Sequence, residues 1–226
     1  MIEMKLTENI SETVYERLRD MIECGKLKPG MRLIQRDLAR MLNTSSIPVA
    51  KAICRLEHDG LVVCELNRGA QVRDWSVDEI ECAIMIRSSM EQIAAGFCAI
   101  RATTQQREKI KELAKAFTDC AIVQDTAGCL KADSDLHAFI VQCSGSQLLS
   151  RTLSNSRVIT NTIRNATWLR LPVCCPSIHD SLVDAIISGD EELAKDRARE
   201  HVEEVLSDLC RVMHESMPRP KIMQFA

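Results

Sequence analysis

Apolar residues in the first 76 positions alternate between helical spacing and short extended runs. Val14, Leu18 and Ile22 recur every four residues, so they share one face of a helix. Pro29-Gly30 and Asn67-Arg68-Gly69 are turn signals between the periodic segments. The predicted elements are helices over about 10–24, 36–42 and 46–59 and extended runs at 32–34, 61–64 and 70–72. Two short helices joined by a tight turn and followed by a β-hairpin are typical of a winged helix-turn-helix, whose second helix enters the major groove of DNA.

From Val77 onward the apolar pattern has helical spacing almost throughout. Breaks at Ser144-Gly145, Pro172 and Ser188-Gly189-Asp190 separate the helical stretches. Six helices are predicted, over 77–101, 104–123, 127–143, 147–167, 177–188 and 190–214. Helices with short connections pack as antiparallel neighbours. The predicted fold is mainly α, with a winged helix-turn-helix domain at 1–76 and an all-α antiparallel six-helix bundle at 77–226.

Composition supports a folded, helix-rich chain. Of 226 residues, 46% are apolar and 27% charged, while aromatic, glycine and proline residues are too few for a strand-rich barrel or sandwich. Eleven cysteines are scattered without a paired C-x-x-C spacing, which predicts reduced thiols. With neither a leader pattern nor an apolar run long enough to span a bilayer, the chain is expected to be cytoplasmic and to make no membrane contact.

Net charge is −3, so no global positive field favours nucleic acid. Residues 1–76 carry 12 basic and 11 acidic side chains, and the remainder 17 and 21. Any contact with DNA must therefore come from a local patch in the first segment. Few of the outward positions there carry a cation. These positions are Arg36, Ser46, Ala50, Lys51, Cys54 and Arg55. A helical pair with a hairpin that contacts another protein remains the alternative to DNA binding.

Polar residues interrupt the apolar faces of three helices in the second segment. Asp133 and His137 lie on a stripe with Leu130 and Ile140, so both are expected to point inward. His179 is in line with Leu182, Val183 and Ile186, and His201 with Ala194, Ala198 and Val205. The two histidines lie about ten and eleven residues on either side of the Gly189-Asp190 turn, so antiparallel helices bring them level.

A carboxylate and three imidazoles are thus predicted to meet inside the bundle. A buried, unpartnered carboxylate is costly, so either these groups hydrogen-bond to one another or a divalent cation holds them. One carboxylate oxygen and three imidazole nitrogens suit zinc best, and nickel, manganese and iron also accept such a set.

The first segment resembles the N-terminal domain of GntR-type bacterial transcription regulators. GKLKPGMRL, RDLARML, SSIPVAKAICRLEHDGLV and NRGAQV carry the resemblance, in order and spacing. It implies that Arg36 contacts DNA and that Gly69 belongs to the wing, and with them we assign Ser46, Lys51 and Arg68 to the DNA-binding surface. The family's usual S-R-x-P-V-R-E-A-L has two arginines where this chain has Ser46 and Ala50. An unusual operator or weaker binding is expected.

The second segment resembles the FCD effector domain of the FadR subgroup of GntR regulators. ADSDLHAFI, SIHDSLVDAIISGDEELA and AREHVEEVL match its metal-binding motifs. The resemblance implies that Asp133, His137, His179 and His201 bind a metal, and the count of six helices resembles the VanR-like branch. His58 and His214 match no motif and are expected to face solvent.

Arg87 is the remaining polar residue on an apolar stripe. The spacing alone predicts that Arg87 forms an ion pair with Glu91, one helical turn later. In the family, the arginine of an R-x3-E motif in this helix often faces the effector, which implies that Arg87 binds a carboxylate.

The leading hypothesis is a homodimeric transcription regulator, in most of the family a repressor, that binds a double-stranded operator and senses a small organic acid at its metal centre. A metal-dependent hydrolase is the rival class, although no motif supplies a general base. A regulator whose metal is purely structural is the third hypothesis.

Overall fold

The computed structural model describes the backbone of residues 2–65, 68–167 and 175–216, and their side chains except at 2–9, 155, 163–167 and 205–216. The chain forms two compact units. One comprises residues 1–80 and 157–169, and the other 81–156 and 170–226. Each unit is described separately.

The first unit contains three helices, a small sheet and the end of a long helix from the second segment. Its elements are α1 (Ile2–Glu23), β1 (Arg32–Leu33), α2 (Gln35–Met41), α3 (Ser46–His58), β2 (Val62–Glu65) and β3 (Gly69–Val72). The strands are antiparallel in the order β1-β3-β2, with Arg32 opposite Gln71 and Val62 opposite Val72. Leu18, Ile53 and Leu56 are buried between the helices. The predicted winged helix-turn-helix is confirmed.

The second unit is helical. In the described part of the chain its six helices are α4 (Val77–Arg101), α5 (Thr104–Ile122), α6 (Thr126–Cys143), α7 (Gln147–Thr167), α8 (Asp180–Ser188) and α9 (Glu191–Ser216). The first turn of α4 and the last turns of α7 belong to the first unit. One apolar core joins all six helices, and many of its residues are alanines, such as Ala94, Ala95 and Ala198. Small side chains let these helices approach closely. The predicted mainly helical class and count of six are confirmed.

Two helices begin three or more residues away from the predicted position, and the other boundaries agree to within two residues. The first helix begins at Ile2 rather than near Ile10, since no glycine or proline interrupts the intervening residues. The fifth helix of the second segment begins at Asp180 rather than 177, because residues 175–180 form turns in which the Ile178 and Asp180 amides bond carbonyls three residues back. His179 is therefore the residue before α8, with helical dihedral angles of −98° and −10°.

The cysteines follow expectation where the structure describes them. Nine are free thiols, and Cys174 and Cys210 lie outside the described side chains. Burial raises the pKa of Cys98 to about 12, so this thiol stays protonated and unreactive. Among the described residues, no helix is both long and apolar enough to cross a membrane.

Arg107 of α5 joins the ends of two other helices. Its guanidinium donates to the carbonyls of Ala99 at 2.6 Å and Ala102 at 3.2 Å, where α4 ends, and to Ile186 at 2.8 Å and Ile187, where α8 ends. The last carbonyls of a helix have no partner within it. Arg107 supplies those partners and fixes the ends of α4 and α8 beside α5. Gly189, at φ +81°, then turns the chain into α9.

Replacing Arg107 with methionine should lower the free energy of unfolding by about 2 kcal/mol, because several half-buried carbonyls lose a charged donor. Urea unfolding followed by circular dichroism measures the change. Lys111→Met on the same helix is the control, because it removes an exposed ion pair with Glu108 and should cost less than about 0.5 kcal/mol. Equal losses in the two variants would contradict this role for Arg107.

Candidate metal centre and DNA-facing surface

The structure brings together the four residues singled out in the second segment. Asp133 and His137 lie one turn apart on α6, His179 immediately precedes α8, and His201 lies on α9. All four are buried, with 1–4% of each residue exposed. One ligand atom from each lies within 4.8 Å of all the others. The ring centroids of His179 and His201 are 4.7 Å apart, as expected for antiparallel helices that bring them level.

The hydrogen bonds of two imidazoles fix which nitrogen faces the centre of the cluster. His137 Nδ1 lies 3.0 Å from a carboxylate oxygen of Glu91, and His201 Nδ1 lies 3.1 Å from the carbonyl oxygen of Ile178. Both oxygens accept hydrogen bonds, so each Nδ1 carries the proton that it donates. The Nε2 atom of each neutral ring therefore presents a lone pair toward the cluster.

These two Nε2 atoms face each other at 3.0 Å. Two lone pairs at this distance repel unless a proton or a cation lies between them. Burial lowers the pKa of His201 well below its usual range, and the imidazoles of His137 and His179 lower it further. His201 Nε2 is therefore an acceptor, and the short contact requires either a proton on His137 Nε2 or a cation between the two rings.

Asp133 and His179 complete the set. His179 Nε2 lies 3.3 Å and His137 Nε2 lies 3.8 Å from Asp133 Oδ1. Mutual hydrogen bonding, the alternative left open by the sequence, accounts for the His179–Asp133 contact, and it accounts for the His137–His201 contact if one of the two rings donates through Nε2. One oxygen and three nitrogens in a closed, buried cluster fit a divalent transition metal. The edge of the Phe117 ring contacts His179, with centroids 4.4 Å apart, and helps orient it.

Arg87 and Glu91 lie against this cluster. Arg87 Nε donates to Glu91 Oε1 at 2.8 Å, and both side chains are buried, at 2% and 5% exposure. The ion pair predicted from spacing is therefore present. The other carboxylate oxygen of Glu91 is the acceptor for His137. Carboxylate–histidine contacts of this kind orient metal ligands in many proteins. The spacing indicated only the pairing of Glu91 with Arg87; its contact with His137 depends on how α4 packs against α6.

A small cavity adjoins Glu91 and His137. Its volume of about 10 Å³ is room for about one water molecule. The rest of its lining is aliphatic, from Ala94, Ala95, Ile140, Val141, Leu182 and Ala198.

The residues assigned to DNA contact lie on the surface of the first unit. Arg36 on α2, Ser46 and Lys51 on α3, and Arg68 and Gly69 beside the wing turn are all exposed. Arg68 pairs with Glu65 at 3.0 Å. Gly69 has φ +79°, a conformation that suits glycine. Asn67 of the predicted turn lies outside the described part of the chain.

Arg55 has a structural role that the sequence did not reveal. It forms an ion pair with Glu12, and its guanidinium lies 3.8 Å above the Tyr15 ring. Tyr15 in turn donates to Asp59 at 2.5 Å. These contacts join α1 to α3, so the Arg55 charge is partly neutralised by its own unit. His58 is exposed, as expected, and the side chain of His214 lies outside the described residues.

Comparison with known proteins gives two adjacent family matches. A model of bacterial regulatory proteins of the gntR family matches residues 10–72, and the FCD domain matches residues 82–204. A probable D-xylose utilization operon transcriptional repressor of Paenarthrobacter nicotinovorans is 27% identical over 195 residues, or 84% of this chain and 86% of that protein. The HTH-type transcriptional repressor RspR of Escherichia coli is 20% identical over 213 residues, or 93% of both chains.

Solved structures show the same fold. Escherichia coli McbR/YncC matches with a TM-score of 0.83 at 19% identity, over 90% of this chain and 98% of that one. A GntR transcriptional regulator from Rhodococcus sp. RHA1 matches with a TM-score of 0.71 at 24% identity, over 88% of this chain and 96% of that one.

The FCD match alone spans more than half of the chain. The two family matches and the two repressors named above identify a transcription regulator, so the hydrolase hypothesis is wrong. This chain belongs to the GntR family of bacterial regulatory proteins, in the group that carries an FCD effector domain, and it is a DNA-binding transcription regulator rather than an enzyme.

Proposed function

We propose that the chain is a repressor that senses a small organic acid at a zinc centre held by Asp133, His137, His179 and His201. The contact between His137 Nε2 and His201 Nε2 carries this proposal, since it presents two lone pairs 3.0 Å apart inside the protein. Zinc suits one carboxylate and three imidazoles, and its remaining positions accept an oxygen ligand. The acid is the effector, and its carboxylate oxygens supply that ligand.

Arg87 is the proposed second contact for the effector. It is a buried cation close to the centre, joined to it through Glu91 and His137. A guanidinium presents its N–H groups in a planar fork and binds carboxylates at fixed geometry.

The proposed operator-binding domain comprises residues 1–76, with the effector domain at 77–226. Arg36, Lys51 and Arg68 supply phosphate or base contacts, Ser46 lies at the start of the helix that enters the groove, and Gly69 shapes the wing. Two of the relatives are named as transcriptional repressors, which supports repression rather than activation of transcription.

The functional form is proposed to be a homodimer, since paired domains match operator half-sites about one helical turn apart. Helix α4 offers a surface for pairing. Met85, Ile86, Ile93 and Ile100 recur on one of its faces and are 42–70% exposed in the single chain. Apolar stripes of this kind commonly mark protein interfaces.

Purified protein should contain about one equivalent of zinc per chain by elemental analysis. His201→Ala should lose most of it, because one of the two facing nitrogens is gone, whereas His58→Ala, which alters an exposed imidazole, should retain it. At a free zinc concentration 100 times its dissociation constant, binding should stabilise the fold by about 2.7 kcal/mol. A wild-type protein without bound divalent metal would contradict the proposal.

Chelation distinguishes a sensing metal from a structural one. The ligands come from α6, α9 and the residue before α8, so a metal also links these elements. A sensing role predicts that the metal-free protein keeps its helical circular dichroism and loses acid binding. Melting of the helices on chelation would instead support the structural role.

Operator binding and metal binding should be separable. Arg36→Ala should weaken binding to an operator selected from random duplexes by about tenfold, because a cation that contacts DNA is lost, and should leave zinc content unchanged. His179→Ala should do the reverse in the absence of effector. Fluorescence anisotropy and elemental analysis give the two readouts. Arg151→Ala, at an exposed position on α7, is the control for a general charge effect. Equal losses of both activities in both variants would contradict separate sites.

Restoring the family's arginines tests which face of α3 meets DNA. Ser46→Arg with Ala50→Arg should raise affinity for duplex DNA and steepen the dependence of log K on log salt by about 1 to 2, since each phosphate contact contributes about 0.9. Gln105→Arg with Ser150→Arg adds the same charge at exposed positions on α5 and α7. An identical salt slope in both double variants would place Ser46 and Ala50 away from the DNA.

A further inference from the structure

We infer that Ile47 on α3 selects the operator by packing against the 5-methyl group of a thymine in the major groove. The inference rests on the proposed function, because it takes α3 to be the helix that enters the groove. It goes further by naming the kind of base contact and the residue that makes it. Each operator half-site is therefore expected to contain a thymine whose methyl group is required for full affinity.

Ile47 lies in the first turn of α3, on the side opposite the core of its unit. The buried face of the helix is formed by Val49, Ala52, Ile53 and Leu56, each at most 2% exposed. Ile47 is 66% exposed and points about half a turn away from the centre of that face. In a helix-turn-helix, the residues at the N-terminal end of the second helix contact base edges. Ile47 thus occupies a position from which a side chain can read sequence.

The outward face of α3 around Ile47 offers apolar contact rather than strong hydrogen bonds. Ala50 and Cys54 follow Ile47 at intervals of three and seven residues, so the three side chains form one stripe. Their exposed groups are methyl and methylene carbons and a thiol, which is a weak donor. Thymine is the one base that presents a methyl group in the major groove, and apolar side chains recognise it there. The chemistry of the stripe therefore favours thymine.

The side chain of Ile47 is held in place before DNA binds. A β-branched side chain has one strongly preferred rotamer in a helix, so little freedom is lost when a methyl group packs against it. Pro48, which is buried in the same turn, fixes the local backbone. Single exposed apolar residues are common on protein surfaces. What distinguishes Ile47 is its place in the first turn of α3, between Ser46 and Ala50, where no arginine is present to contact a guanine instead.

Removing only the methyl group from thymine tests this contact. Full-length protein first selects an operator from random duplexes, and each thymine of one half-site is then replaced in turn by deoxyuridine, which keeps every hydrogen-bonding group of the base. Fluorescence anisotropy measures the Kd of each duplex. At one position the replacement should weaken wild-type binding by about fourfold, the contribution of one buried carbon of this size. If no deoxyuridine weakens binding, the inference is overturned.

Ile47→Ala determines whether this side chain is the one that meets the methyl group. The position is exposed and alanine is a good helix former, so the variant should keep its helical circular dichroism. It should bind the thymine and deoxyuridine duplexes equally well, because the methyl group has lost its partner. Ile122→Ala shortens an isoleucine of similar exposure, 65%, at the end of α5 and should keep the wild-type response. A wild-type response in Ile47→Ala would overturn the role given to Ile47.

A change in the preferred base provides a readout that does not depend on affinity. Glutamine contacts adenine through its N6 and N7 groups. Selection repeated with Ile47→Gln should therefore replace the thymine that responds to deoxyuridine with adenine. An unchanged consensus sequence in Ile47→Gln would count against a base contact at this position and overturn the inference.

Arg36→Ala separates failure of this inference from failure of the proposed function. Weaker binding by Arg36→Ala, together with no response to deoxyuridine, would overturn the thymine contact and leave the proposed DNA-facing surface in place. Wild-type affinity in both Arg36→Ala and Ile47→Ala would overturn that surface and the inference with it.

Discussion

The structure of the effector domain is organised around two imidazole nitrogens that face each other at 3.0 Å. In each ring the other nitrogen, Nδ1, donates a hydrogen bond. His137 donates to a carboxylate oxygen of Glu91, and His201 donates to the carbonyl oxygen of Ile178. In a neutral ring whose Nδ1 donates, Nε2 is an acceptor. Burial lowers the pKa of His201 and so favours its neutral form. The packing of three helices thus brings two imidazole nitrogens together at one buried point, in a cluster that could hold a metal ion.

The positions of the four clustered side chains depend on the ends of the helices as much as on the apolar core. His179 lies before α8 rather than within it, so its position follows from the turns at 175–180 and from the start of the helix. Arg107 fixes the other end of α8 against the end of α4, the helix that carries Arg87 and Glu91. A side chain on α5 therefore holds in register two elements that contribute to the centre. Supporting contacts of this kind orient ligands without touching the metal.

Much of this arrangement could be predicted from periodicity. Steps of three and four residues placed Asp133 and His137 on the buried face of one helix, and equal distances from the Gly189 turn brought His179 level with His201. What the sequence could not show is contact between side chains on different helices. The spacing of Arg87 and Glu91 predicts their ion pair, but only packing reveals that the second oxygen of Glu91 meets His137. The same limitation applies to Arg55, which lies at an outward position yet binds Glu12 and covers Tyr15.

The Arg55 contacts also bear on how the DNA-facing surface works. Phosphate neutralisation supplies most of the nonspecific affinity of a DNA-binding protein. In this unit, Arg55 is paired with Glu12 and Arg68 with Glu65, so two of its exposed cations are already partly neutralised. Ser46 and Ala50 occupy the positions of the family's groove arginines and add no charge. Helix α3 therefore presents less positive charge than the family's usual sequence, so contacts to base edges have to supply a larger share of its affinity for DNA.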